Sequence, residues 1–224
     1  MSYYYLDGGN FATFRFAENK ILSTTIQSCA PDSYGVNAFR SRDTSGNSTA
    51  LNISHCNSDN TPIFTMFPSG DDSIKYSIFN ENSAGEGSIY GKKEYDYDTY
   101  GIAVVYSGNF TIESCCFSNN SASFLIYSSH SVKVIFKNTI FIGNKNDYIA
   151  YADQGNNGQG ISASEMFINN CYFEEENTNL KGATGGKVLY DRVNNYSIKS
   201  EVINQIQNQL RTVPITDAQS IYHL

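Results

Sequence analysis

The stretch that decides the fold is Ile112-Glu113-Ser114-Cys115-Cys116-Phe117, because its pattern of residue types recurs along the chain. The pattern runs aliphatic or aromatic, two variable residues, Cys, Ser or Thr, one variable residue, then Phe. The other copies begin at Ile26, Ile53, Ile74, Phe136 and Ile168, and the first two lack the final Phe. A template that returns about every 28 residues indicates a repeat architecture.

The parity inside the template predicts two short strands that meet at a bend. Phe110 and Ile112 share one face of a strand, whereas Cys115 and Phe117 lie at an odd offset from Ile112. All four can point inward only if the chain bends between Ile112 and Cys115. Cys116 then points outward and should be the first thiol to react with a label. The predicted bend residues are Ser28, His55, Tyr76, Ser114, Asn138 and Asn170.

A third short strand follows the turn after each Phe, at residues 124–127, 148–151 and 187–190. Three short strands per repeat predict an all-β fold, a right-handed parallel β-helix of about six coils. One coil cannot bury its apolar side alone, but stacked coils can. An antiparallel sandwich also has short strands and many turns, yet it does not explain a recurring template with a parity switch.

The C-terminal residues have a different pattern. We predict a β-helix domain over residues 1–198 and a C-terminal helical cap or tail over residues 199–224. Ser200 could cap a helix that ends before Pro214. The apolar face of this helix would contain Val202, Ile203, Ile206 and Leu210. We expect the helix to cover the open end of the β-helix, because exposed strand edges invite aggregation.

Composition excludes several classes of function. The 224 residues carry a net charge of −7, which argues against nucleic-acid binding because phosphate contacts need a basic surface. No apolar run reaches the roughly 18 residues that predict a membrane span. The five cysteines and three histidines lack the spacing of a zinc site, and no nucleotide-binding motif occurs. The sequence therefore predicts no cofactor and no metal. The alternating acids Glu94, Asp96 and Asp98 could suit calcium, but they are more typical of a solvated loop.

Short Phe-x-x-Asn segments carry a family resemblance. Phe79-Asn80-Glu81-Asn82, Phe117-Ser118-Asn119-Asn120 and Phe141-Ile142-Gly143-Asn144 resemble the repeat unit of polymorphic outer membrane (Pmp-type) proteins. The wider pattern, over about residues 20–190, resembles the right-handed β-helix superfamily that includes pectate lyases. It is also similar to Asn/Ser-rich β-helix surface proteins of parasitic protists. The resemblance implies a surface or extracellular location if the chain is a fragment that lacks its signal. Otherwise we expect a cytoplasmic location.

Two groups of residues are candidates for structure or binding. The small residues of the template predict one inward column that is neither catalytic nor metal-binding: Cys29, Cys56, Ser77, Cys115, Thr139 and Cys171. Tyr127, Tyr151 and Tyr190 end the third strand of three repeats and predict an aromatic ladder. This ladder could be a structural stack or a flat platform for a glycan.

The functional hypothesis is a non-enzymatic, adhesin-like surface module that presents loops and one flat sheet face to a protein or glycan. The alternative is a polysaccharide-active hydrolase or lyase. Gly70-Asp71-Asp72-Ser73 resembles the Gly-Asp-Asp element of pectin-degrading β-helix hydrolases. That resemblance implies acid and base roles for the carboxylates of Asp71 and Asp72.

Overall fold

The computed structural model describes residues 2–7, 12–15, 18–22, 25–30, 39–58, 63–68, 70–84, 101–105, 108–128, 131–152, 160, 162–174 and 186–211. Within these ranges the chain is all-β apart from one helix. The strands are β1 Ser2–Asp7, β2 Ala12–Arg15, β3 Glu18–Leu22, β4 Thr25–Ala30, β5 Phe39–Thr49, β6 Asn52–Ser54, β7 Asn57–Ser58, β8 Phe64–Pro68, β9 Asp71–Lys75, β10 Ile78–Asn80, β11 Ser83–Ala84, β12 Gly101–Val105, β13 Asn109–Glu113, β14 Cys116–Ser118, β15 Ser121–Ser128, β16 Lys133–Lys137, β17 Ile140–Ile142, β18 Lys145–Ala152, β19 Glu165–Asn169, β20 Tyr172–Phe173 and β21 Lys187–Asp191. The helix is α1 Ser197–Arg211.

The strands form two large parallel sheets. Sheet A has seven strands in the order β1-β4-β6-β10-β14-β17-β20. The second sheet has fourteen strands in two arms that the long strand β5 joins. Arm B contains β2, β7, β8, β11, β12, β15 and β18, and arm C contains β3, β9, β13, β16, β19 and β21. Neighbouring strands come from successive repeats, an arrangement compatible with a parallel β-helix.

The template behaves as predicted from Ile74 onward. Ile112 pairs with Ile74 on one side and with Phe136 on the other, and Phe136 pairs with Ile168. The bends predicted at Tyr76, Ser114, Asn138 and Asn170 all have left-handed backbone, with φ of 50°, 52°, 50° and 52°. Phe110, Ile112, Cys115 and Phe117 all lie in the main hydrophobic core, so the predicted parity switch is confirmed.

The two shorter copies were assigned to the wrong half of the template. Ile53 pairs with Phe79, and Ile26 pairs with Ile53, so neither lies in register with Ile74. The error has a physical cause, because each repeat bends twice. The second bend also places an apolar residue three positions before a buried small or polar one. His55 has the predicted left-handed φ of 55°, but at this second bend, whereas Ser28 lies inside the continuous strand β4.

The core is organised around a stack of phenylalanine rings on sheet A. Ring centroids are 4.5 Å apart for Phe79 and Phe117, 5.4 Å for Phe117 and Phe141, and 4.7 Å for Phe141 and Phe173. These rings are nearly parallel, with interplanar angles between 2° and 17°. In-register parallel pairing produces this stack, because equivalent residues of successive repeats lie directly beside each other.

The C-terminal helix was predicted correctly as an element but not in its place. It begins at Ser197 rather than at Ser200, and the buried face includes Val202 and Ile206 as predicted. Instead of covering an open end, α1 packs on the outer face of sheet A. A second hydrophobic cluster joins it to that sheet: Ala50, Ile78, Cys116, Ile140, Tyr172, Ile198, Val202 and Ile206. The outward column of sheet A is apolar and so requires this cover. Leu210 has no described side chain, and Pro214 lies outside the described residues.

Candidate functional site

The inward column predicted from the small residues of the template has a structural role. Its observed members are Leu51, Ser77, Cys115, Thr139 and Cys171, all at most 1% exposed. The hydroxyl or thiol of the last four donates to the backbone carbonyl two residues earlier, at 2.8, 3.4, 3.2 and 3.3 Å. Ser77 Oγ also accepts from the amide of Leu51 at 3.0 Å. The column therefore satisfies backbone groups at the first bend, which explains the interchange of Ser, Thr and Cys.

Cys29 and Cys56 were wrongly placed in this column. The register of Ile53 puts Cys56 at the second bend instead, whereas Cys29 lies inside the continuous strand β4 and pairs with Leu6 of β1. The amide of Cys56 donates to Asn82 Oδ1 at 3.1 Å, so Cys56 occupies the position that Asn82 occupies in the next repeat. The side chain of Cys29 lies outside the described part of the chain.

The buried thiols have no sign of catalytic activation. Burial raises the pKa of Cys115, Cys116 and Cys171 to about 12 in each case. A thiol with such a pKa is almost entirely protonated at neutral pH and is a poor nucleophile. Cys116 points outward as predicted, but it is only 1% exposed because α1 covers it. The expectation that Cys116 is the accessible thiol is therefore wrong.

Sequence reasoning missed a buried asparagine ladder at the second bend. Asn82 Nδ2 donates to Asn120 Oδ1 at 3.0 Å, and Asn120 Nδ2 donates to Asn144 Oδ1 at 2.9 Å. The same two oxygens accept from the backbone amides of Asn82 and Asn120. Asn120 and Asn144 also donate to the carbonyls of Phe79 and Phe117, at 2.9 Å each. The Phe-x-x-Asn spacing was the signal that could have revealed this ladder. Each Asn follows an inward-pointing Phe by the same number of residues, so the Asn side chains of successive repeats point the same way.

The three tyrosines do not form one ladder. Tyr127 pairs with Tyr151 in arm B, but Tyr190 lies in arm C and pairs with Ile168. The prediction is wrong for Tyr190 because β21 pairs with β19 in arm C. Residues 124–127 and 148–151 belong instead to strands β15 and β18 of arm B. Tyr127 is only 4% exposed, so its ring offers no open platform. The side chain of Tyr151 lies outside the described part.

Asp71 and Asp72 lie on opposite faces of β9. Asp71 is exposed and accepts a hydrogen bond from Asn109 Nδ2 at 2.7 Å. Asp72 is 2% exposed and lies in register with the inward residue Phe110. Its Oδ1 accepts from the amide of Gly46 at 2.9 Å, whereas its Oδ2 has no hydrogen-bond partner. Burial raises the pKa of Asp72. The two carboxylates therefore do not converge on one substrate position.

The outer face of arm C carries exposed or partly exposed side chains at all of its positions except Ser73. We define it by three rows across five in-register strands. The first row is Asp71, Asn109, Lys133, Glu165 and Lys187. The middle row is Ser73, Thr111, Ile135, Phe167 and Leu189. The third row is Lys75, Glu113, Lys137, Asn169 and Asp191. The inward residues between the rows, such as Val134 and Met166, are fully buried.

The middle row becomes apolar toward β21, and charged rows flank it. Ile135 and Phe167 are partly exposed, and Leu189 is 38% exposed. Lys133 Nζ lies 4.9 Å from the centroid of the Phe167 ring, a cation–π contact. An apolar strip rimmed by polar residues is typical of a surface that binds a partner.

The third row contains an ion-pair ladder. Glu113 lies between Lys75 and Lys137, with N–O distances of 2.9 and 2.8 Å. Burial alone would raise the pKa of Glu113, but hydrogen bonds from both lysines outweigh it and the pKa is lowered. These contacts hold the charged side chains in a defined pattern along the sheet.

Other site types receive no support from the described ranges. No group of three or more His, Cys, Asp and Glu residues there could hold a metal ion. Glu94, Asp96 and Asp98 lie outside the described residues. Helix α1, the one helix in the described ranges, lacks the length and apolar character needed to cross a membrane.

The chain was also compared with known proteins. Its sequence matches no protein-family model, and it matches no curated protein.

Proposed function

We propose that the chain is a right-handed parallel β-helix that works as a non-enzymatic, adhesin-like interaction module. The observation that carries this proposal is the outer face of arm C, where an apolar strip lies between two charged rows. Seven strands in sheet A correspond to about six turns of such a helix. The resemblance to Pmp-type and protist surface repeats supports a surface role, and the stacked Phe and Asn residues support the fold.

The proposed mode of action is flat-face recognition of another protein. Ile135, Phe167 and Leu189 would supply the apolar contact, and the flanking Lys, Glu and Asp side chains would supply orientation. Parallel strands hold these residues rigidly, so binding orders little additional backbone. A protein partner suits this face better than a glycan does, because the strip has two aliphatic residues and only one aromatic ring.

The enzymatic alternative has a direct test. Polygalacturonate would be incubated with the wild-type chain and with Asp72→Asn, and unsaturated and reducing products would be measured. We expect no product from either chain, because the side chains of Asp71 and Asp72 point to opposite faces. Turnover by the wild type that Asp72→Asn abolishes would overturn the proposal.

The binding face has its own test. Phe167→Asp places a charge in the middle of the apolar strip, whereas Asn119→Asp places one at an exposed bend far from it in the sequence. Both variants and the wild type would be screened against defined proteins and glycans by surface plasmon resonance. The proposal expects a ligand that Phe167→Asp loses and Asn119→Asp keeps. A ligand that both variants bind equally well would place recognition elsewhere.

A further inference from the structure

The geometry points to a second copy of this chain as the partner of the outer face of arm C, and we propose a two-fold symmetric dimer. This inference rests on the proposed function, because it names the partner of the face proposed there. A two-fold interface places the same patch of both copies together, so the patch must complement itself. The three rows of this face complement themselves under one two-fold rotation.

The complementary arrangement has its two-fold axis along the middle row, perpendicular to the strands. Each middle-row residue then faces its own equivalent, so Ile135, Phe167 and Leu189 form one continuous apolar seam. The first row of one copy faces the third row of the other, strand by strand. Aligned sheets pack about 10 Å apart, a distance that these side chains can span.

The charged rows match in four of their five positions. Asp71 faces Lys75 of the second copy, and Lys187 faces Asp191 of the second copy, so both pairs have opposite charges. Asn109 faces Glu113, and Glu165 faces Asn169, so both pairs can form amide–carboxylate hydrogen bonds.

The remaining position brings Lys133 of one copy opposite Lys137 of the other. This like-charge contact is moderated because Glu113 Oε1 lies 2.8 Å from Lys137 Nζ within each chain. Placing the two-fold axis of the dimer along the strands instead, between β16 and β19, gives a poorer match of the charged rows. That arrangement brings Glu113 opposite Asp191 and Leu189 opposite Thr111, so that only Ile135 and Phe167 form an apolar pair.

The size of the face predicts weak association. Five strands about 4.8 Å apart and five residues of about 3.3 Å each give a patch of only a few hundred Å² per copy. Stable dimers bury about 800 Å² per copy, so this dimer should dissociate in the micromolar to millimolar range.

The test is a charge exchange measured by sedimentation velocity over a range of concentrations. Lys187→Asp and Asp191→Lys change the net charge in opposite directions, yet each creates a like-charge pair across the proposed interface. Each should raise the dimer dissociation constant about tenfold. An equimolar mixture of the two variants, and the double variant, should both recover wild-type association. Thermal melting would verify that every variant remains folded.

The outcomes separate this inference from the proposed function. A wild-type chain that stays monomeric up to about 1 mM, or single variants that the mixture does not rescue, would overturn the dimer. If Phe167→Asp then still loses an unrelated protein ligand, the binding face stands without the dimer. If Phe167→Asp changes neither association nor ligand binding, both proposals fail.

Discussion

The outer faces of sheet A and arm C both carry a column of outward-pointing apolar residues, but only the column on sheet A is covered. On sheet A the outward column is Ile78, Cys116, Ile140 and Tyr172, and α1 covers it so that each residue is at most 7% exposed. On arm C the apolar middle row has charged rows on both sides, and Leu189 remains 38% exposed. An apolar column without charged neighbours needs a cover, whereas one with charged neighbours can stay in contact with water. The composition of the neighbouring rows therefore distinguishes the covered face from the uncovered one.

The largest expected effect is on the covered face. Ile206→Asp would place a charge on the buried face of α1, at a position that is 2% exposed. We expect the free energy of unfolding to fall by about 3 kcal/mol, because a packed Ile is lost and a carboxylate would be buried. Urea titration measures this change. Detachment of α1 should also let Cys116 react quickly with a thiol label.

Asn208→Asp is the matched control for that variant, because Asn208 is exposed on the same helix. It should change neither the stability nor the labelling of Cys116. Slow labelling of Cys116 in Ile206→Asp would contradict the assignment of α1 as its cover.

A pair of aromatic truncations compares the two faces directly. Tyr172→Ala on sheet A should cost about 2–3 kcal/mol of stability, because Tyr172 is 7% exposed and packs beneath α1. Phe167→Ala on arm C should cost less than about 1 kcal/mol, because the ring is partly exposed. Equal costs in thermal or urea unfolding would remove the distinction between the faces.

Asp71 and Asp72, the adjacent acids of β9, test which residues of arm C point inward and which point outward. The raised pKa of Asp72 means that the folded chain holds its proton more tightly than the unfolded chain does. Its contribution to stability is therefore present below the ordinary Asp pKa of 3.8 and is lost as pH rises through the higher folded-state pKa. Asp72→Asn should remove this loss and stabilise the chain by about 1 kcal/mol at neutral pH.

Asp71→Asn is the control for Asp72→Asn, because Asp71 is exposed on the other side of the same strand. It should change stability by less than about 0.5 kcal/mol at any pH. Urea unfolding of both variants from about pH 3 to about pH 8 makes the comparison. If Asp71→Asn were the stabilising variant, the inward and outward residues of arm C would be exchanged.

The smallest effect concerns the ion-pair ladder of the third row. The lowered pKa of Glu113 implies stability that is present above the ordinary Glu pKa of 4.5 and is lost as pH falls through the lower folded-state pKa. Glu113→Gln should cost no more than about 0.5 kcal/mol, because both lysines are more than a third exposed to solvent. The cost should shrink further in high salt. A larger, salt-independent cost would mean that Glu113 has a different structural role.

The sequence predicted the repeat and its parity because both depend on local residue order. An inward Ile112 and an inward Cys115 at odd spacing require a bend, and the bend is at Ser114. The register of the first two repeats was not predictable in this way. Ile53-Ser54-His55-Cys56 fits either half of the template, and only pairing with β10 places it.

Long-range packing accounts for what else the sequence left open. The outward parity of Cys116 was predicted, but its burial depends on where α1 docks, which no local pattern specifies. Tyr190 repeats the local pattern of Tyr127 and Tyr151, yet β21 pairs with β19 rather than with β18. The outer face of arm C could not be predicted from the sequence for the same reason, because its three rows form only when five strands pair in register.

Hydroxyl-radical footprinting of the dilute chain, read residue by residue by mass spectrometry, tests the central claim most directly. The claim is that the outer face of arm C is open for binding while that of sheet A is closed by α1. It predicts rapid modification of Phe167 and Leu189 and protection of Ile78, Cys116 and Tyr172. Rapid modification of Cys116 and Tyr172, with Phe167 and Leu189 protected at every concentration, would contradict it.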